Sequence, residues 1–257
     1  MPPDTRPLEQ ILRRPKVESA ERQLRQQIIA DTVLSTSPYL KTPNFDAVHD
    51  DDIQLLYELY DENFFHGQLQ KCLTGQSISF RLSRRMLKAG GRTTRWGDRR
   101  NRKPARYEIA VSSSLLFQSF RNPERHITVT GLDCESRLDA LLRIMEHELV
   151  HLAELLVWTD SNCSMFRFQG IASGMFGHTD HRHDLITHQE TAQREFGVRP
   201  GVRVRFDFEG HSMQGIVNRV TKRATVLVMH SEGQLYSDGQ RYLKFYLPVS
   251  QLEILED

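Results

Sequence analysis

From residue 135 to 158, Leu138, Leu142, Met145, Leu149, Leu152 and Leu156 recur at alternating four- and three-residue spacing. That spacing places all six on one face of a helix, and the face must be buried. Asp133 reads as the cap of this helix, with acids in its first turn. After a loop over 159–164, Phe168, Ile171, Ala172, Met175 and Phe176 share a face of another helix that stops at Gly177. Upstream, the run Asp50-Asp51-Asp52 suits a helix start, and Leu56, Leu59, Tyr60 and Phe64 form the apolar side of a helix ending near Gly67. The first 48 residues are polar and punctuated by proline. They read as an N-terminal arm, partly disordered or helical, with one helix over 17–34 carrying Leu24, Ile28 and Ile29. Residues 78–82 and 107–111 alternate as half-buried strands, and 127–130 reads as extended.

The period changes after Gly197-Val198-Arg199-Pro200-Gly201. There Val202, Val204, Phe206 and Phe208 alternate with Arg203, Arg205, Asp207 and Glu209. A period of two cannot serve an amphipathic helix. Further strands are predicted at 215–220, 225–230, 242–247 and 252–255, separated by glycine turns. Five short strands in so few residues predict a small SH3-like barrel. The expected class is therefore α+β, with an arm over 1–48, a main domain over 49–196 of helices on a small sheet, and an all-β domain over 198–257.

The 257 residues are 39% hydrophobic and 26% charged, which excludes global disorder. A net charge of +1 gives the whole chain no bias toward nucleic acid or membranes. Cys72, Cys134 and Cys163 are odd in number and widely spaced, which suits a reducing compartment better than a disulfide framework. No apolar run reaches the roughly 18 residues of a membrane span, so a cytoplasmic protein is expected. Charge is strongly local, however: residues 81–106 hold eleven basic side chains, from Arg81 to Arg106, against the single acid Asp98. Arg95, Arg99, Arg100 and Arg102 are candidate phosphate contacts, with Trp96 or Tyr107 able to stack on an unpaired base. The competing reading is a solvated loop.

The chemistry concentrates at His147-Glu148-Leu149-Val150-His151, an HExxH pattern inside the most regular helix. Four residues make slightly more than one turn, so His147 and His151 project from one face and can hold one zinc ion. Glu148 is then placed to take a proton from a water that the ion polarises, as general base for peptide hydrolysis. Glu154 points to a similar side, as a ligand, as an acceptor behind a ligand, or simply as a solvated glutamate.

The stretch Leu56-Tyr57-Glu58-Leu59-Tyr60-Asp61-Glu62-Asn63-Phe64-Phe65-His66-Gly67-Gln68-Leu69 resembles the opening helix of SprT-like (Spartan-type) metalloproteases. Ala89-Gly90-Gly91-Arg92, Ile109-Ala110-Val111-Ser112, Leu115-Leu116 and 141–151 follow in that family's order, so the resemblance covers about 53–185. It implies a zinc endopeptidase with His147 and His151 as ligands and Glu148 as base, and, in the Spartan branch, cleavage of proteins attached to DNA. The family's third ligand is a His before a helix that opens with an aromatic residue. With Phe168 as that aromatic, Ser161-Asn162-Cys163-Ser164 stands where the His belongs. Two candidates for the third ligand follow: Cys163, and His178 in the run 177–184, with His183 in reserve as ligand or oxyanion stabiliser. The expected function is a zinc-dependent endopeptidase acting on protein substrates, with DNA a partner through residues 81–106. The alternative is an inactive nucleic-acid-binding protein that retains the protease fold.

Overall fold

The computed structural model describes residues 3–97, 104–121 and 125–255. The chain divides into two compact units, Met1–Leu185 and Ile186–Asp257. Among the described residues no helix is long and apolar enough to cross a membrane.

The first unit opens with α1 (Arg6–Arg13) and α2 (Ser19–Thr36), followed by α3 (Asp50–Phe65) and α4 (Gln68–Cys72). The predicted arm is therefore two helices, and Leu8, Leu12, Ile29 and Val33 are buried. Leu24 and Ile28, expected on the apolar side of α2, are exposed, and Gln26 is buried instead. That choice follows the polar partner Gln26 meets inside, described below. α3 begins at a capping box in which His49 N donates to Asp52 Oδ2. It ends in a left-handed turn at His66 and Gly67, where the Asp61 carboxylate accepts from the amides of Leu69 and Gln70 and starts α4.

A three-stranded sheet follows, formed by β1 (Ser77–Leu82), β2 (Gly91–Trp96) and β3 (Arg106–Val111) in the order β1-β3-β2. β1 is parallel to β3 and β2 antiparallel to it. α5 (Ser113–Ser119), the hairpin β4 (Ile127–Val129) and β5 (Leu132–Cys134), α6 (Arg137–Val157) and α7 (Phe166–Phe176) complete the unit. The apolar stripe of α6 is wholly buried, as its period requires. Its cap is Ser136 rather than Asp133: Ser136 Oγ accepts from Asp139 N, and Asp139 Oδ2 accepts from Ser136 N. Asp133 is engaged in the hairpin, opposite Thr128.

The second unit holds α8 (His188–Phe196), then β6 (Arg203–Phe208), β7 (His211–Val220), β8 (Ala224–Leu235), β9 (Arg241–Leu247), a 3₁₀ turn at Val249–Gln251 and β10 (Glu253–Ile254). The strands form one antiparallel sheet in the order β10-β6-β7-β8-β9. Val204, Phe206, Val217, Val226 and Leu247 make its core together with Ala192 of α8 and Val198. The unit boundary therefore lies upstream of α8, not at residue 197 as the period change implied. Phe208, placed by the alternation on the apolar face, is exposed.

Candidate metal centre

α6 presents His147 and His151 one turn apart, with their Nε2 atoms 3.2 Å from each other. The ring of Phe168, from the second residue pair of α7, lies 4.8 Å from the His147 ring and 4.4 Å from the His151 ring, and fixes both planes. The loop between α6 and α7 carries Cys163 to the same point: one ligand atom from each of His147, His151 and Cys163 lies within 4.8 Å of the others. His178 is elsewhere. Its Nε2 is 2.9 Å from Glu146 Oε2, on a different face of α6. His183 lines the cleft, but its Nε2 is 3.1 Å from the Lys88 carbonyl oxygen.

The donor set suits a soft or borderline divalent ion. Burial pushes the His147 imidazole well below its ordinary pKa, helped by the neighbouring His151, and burial lowers His151 to about 4. Both rings are therefore neutral at pH 7, with lone pairs to offer. For His151 the hydrogen-bond chain also selects the tautomer. Its Nδ1 is 2.7 Å from Ser161 Oγ, whose hydroxyl proton goes to Glu154 Oε2 at 2.5 Å. Glu154 also accepts from Arg167 Nε at 2.6 Å. Since the Ser161 proton is committed to Glu154, Nδ1 of His151 must donate, which leaves the lone pair on Nε2 facing His147. Glu154 is fully buried, which excludes the solvated reading and leaves it as the acceptor behind a ligand. Arg167 is steered in turn by Asp160, 2.9 Å away, and stacks over Trp158. Burial raises the Cys163 thiol above its ordinary pKa, with Glu148 and Glu154 adding to the effect; a coordinated cation reverses that balance.

Glu148 is 4% exposed and faces β2. Burial raises its carboxyl to about 7, while hydrogen bonds from Thr93 oppose the rise. Thr93 Oγ1 lies 2.8 Å from Glu148 Oε2 and 2.9 Å from its carbonyl oxygen. The carboxylate fits only because residue 91 is glycine: a Cβ there would sit 2.5 Å from Glu148 Oε1 and 2.7 Å from Cγ. Gly91 and Thr93 thus shape the slot for the residue next to the first histidine.

Behind the site lies a second polar cluster. Glu146, fully buried, accepts from Gln26 Nε2 at 2.7 Å, Tyr60 OH at 2.9 Å, and Arg143 at 2.9 Å, besides its contact with His178. Burial opposes ionisation of Glu146, but Arg143 and His178 outweigh it and hold its pKa below the ordinary value. Sequence reasoning missed Thr93, Ser161 and Glu146, while Glu154 takes the role of acceptor behind a ligand that the helix spacing had offered as one alternative. None of the three missed residues belongs to an apolar period or a motif, and only the tertiary contacts select them.

The metal-ligand candidates and Glu148 open on a cleft of about 570 Å³, also lined by β2, Thr130 and residues 181–183. The last of these are carried there by backbone pairing with the β4 hairpin, Thr130 N donating to Arg182 O at 2.7 Å. Arg95, of the predicted phosphate contacts, lines this cleft; Arg99, Arg100 and Arg102 lie outside the described residues.

No family model, curated protein or solved structure matches the chain.

Proposed function

We propose that this chain is a zinc-dependent endopeptidase of the SprT-like type. The observation that carries the reading is the convergence of His147 Nε2, His151 Nε2 and Cys163 within 4.8 Å, beside a buried carboxylate at Glu148. A set of two imidazoles and one thiolate fits zinc. Bound there, the ion would polarise both a water and a peptide carbonyl. Glu148 takes the water's proton and delivers it to the leaving amine. Thr93 holds Oε2 in place, and the absence of a side chain at Gly91 keeps space beside Oε1. His151 stays a lone-pair donor because Ser161 and Glu154 hold its other nitrogen.

The substrate side is supported by β2. It lies at the edge of the sheet and, among the described residues, pairs only with β3, so an extended polypeptide can add to it. The order of elements supports the SprT-like reading: a helix ending at His66-Gly67, a small sheet, the HExxH helix, then a helix whose Phe168 backs the histidines. The strand order of the second unit, with its last strand beside its first and a 3₁₀ turn before the last, supports the SH3-like reading. A DNA partner is supported by Arg95 and by exposed Trp96 at the end of β2.

The test combines metal content with hydrolysis. Elemental analysis of purified protein should find about one zinc per chain. Glu148→Gln should keep that zinc and reduce cleavage of an unfolded protein roughly 10²- to 10⁴-fold. Protein without zinc, inert toward unfolded protein yet binding DNA, would establish the inactive alternative.

A further inference from the structure

The cleft carries a charge pattern that a general endopeptidase does not need. Lys88, Arg92, Arg95 and Arg182 line it, from three separate places in the chain: the loop before β2, β2 itself and the segment paired with β4. Among the described residues, the only acid in that lining is Glu148, which the reaction uses. Arg81 of β1, by contrast, makes two hydrogen bonds to Glu108 of β3. Among the described residues, none of the four cleft cations has an ion-pair partner. The Nε of Arg95 is buried with no acceptor among the described residues. A buried donor without a partner is costly unless something supplied from outside satisfies it.

We propose that the cleft selects polypeptide segments with acidic side chains flanking the bond that is cut. This rests on the endopeptidase reading and names its substrate class. The cations come from β2, the loop before it and residue 182, so a peptide bound in the cleft meets positive charge at more than one position. Carboxylates meet Arg in a fork geometry, which the exposed Arg92 and Arg182 can offer. Polypeptide is favoured over nucleic acid by the strand beside the cations: the free edge of β2 offers amide and carbonyl groups at strand spacing, which a peptide backbone matches and a sugar-phosphate backbone does not.

The experiment reads binding separately from hydrolysis. Fluorescent peptides of one length, with Glu, Gln or Lys at the positions around a central apolar pair, are titrated against full-length Glu148→Gln protein at low and moderate salt. A single-stranded oligonucleotide serves as competitor. The Glu peptide should bind about 10-fold more tightly than the Gln peptide, the gap shrinking with salt. It should lose that advantage in Arg92→Gln and Arg182→Gln on the same background. Both sites are exposed, so folding is not at risk, and circular dichroism confirms it. Equal binding of Glu, Gln and Lys peptides overturns the proposal. So does an oligonucleotide whose affinity falls in Arg92→Gln and Arg182→Gln while peptide binding is unchanged, since the cations then serve phosphates. Charge-selective peptide binding by a wild-type protein that cuts none of the peptides would sustain the charge selection and defeat the endopeptidase reading instead.

Discussion

At the scale of single residues the site depends on hydrogens that have only one place to go. Ser161 has one proton, Glu154 takes it, and His151 is thereby held in the tautomer that presents Nε2. Ser161→Ala should lower zinc affinity about 10- to 100-fold, measured by chelator competition, with little change in thermal stability. Glu154→Gln tests the same chain from its far end. The amide retains one acceptor, so the smaller loss expected there separates tautomer control from simple packing. Gly91→Ala addresses Glu148. The added Cβ would press on the carboxylate at 2.5 Å, so Glu148 must rotate away from Thr93. The expected result is full zinc content and a rate reduced at least 10-fold, read in the unfolded-protein assay. The HExxH residues were legible from sequence because helical spacing alone brings i and i+4 together. Cys163 was legible only through its place in the loop after α6. Ser161 and Thr93 were not legible, because each acts through one contact that the fold provides and no periodicity records.

At the scale of elements, α6 was the easiest to read and β2 the hardest. Six apolar positions on one face of α6 are all buried, as burial of a whole stripe requires. β2 has the sequence Gly-Arg-Thr-Thr-Arg-Trp, with no apolar alternation, because it is an edge strand whose side chains line a polar cleft. Helix α1 and helix α5 escaped for a related reason: each is short, and a couple of turns give too few periods to see. The face of α2 escaped for another reason: Leu24 and Ile28 sit on its outer side, while Gln26 turns inward to donate to Glu146. Glu146→Leu removes that acceptor and leaves the half-buried Arg143 beside a newly apolar group. Destabilisation of about 3–5 kcal/mol is expected from denaturant unfolding, because an uncompensated half-buried charge costs more than a lost hydrogen bond. The single change Gln26→Leu should cost less, roughly 1–3 kcal/mol, since Tyr60, Arg143 and His178 continue to satisfy the carboxylate.

At the scale of the whole molecule, the α+β class and the change of architecture after residue 200 were readable from the switch between helical and alternating periods. The position of the boundary was not. A helix read by its period joins whatever precedes it, whereas α8 gives Ala192 to the core of the second unit. A fragment of 186–257 should therefore be more stable than one of 198–257, by roughly 1–2 kcal/mol for the apolar area that α8 covers. Urea titrations of the two fragments, followed by tryptophan-free far-UV circular dichroism, would measure the difference. Equal midpoints would show that α8 contributes nothing to that core.

The Glu146 cluster also sets an order of events during synthesis. Gln26 and Glu146 are 120 residues apart, and His178 comes later still, so the buried carboxylate cannot be fully satisfied until nearly all of the first unit has left the ribosome. At translation rates of about 5–20 residues per second, Gln26 waits roughly 6–24 s for Glu146 to be made. During that interval Ile29 and Val33, buried in the finished unit, have only the early helices such as α3 to pack against, not the complete core. A nascent chain of this kind should engage holdase chaperones through its first two helices and release them only after residue 178 emerges. The HExxH helix, lying between the two ends of that wait, would then become able to bind metal late in synthesis rather than when its own histidines are made.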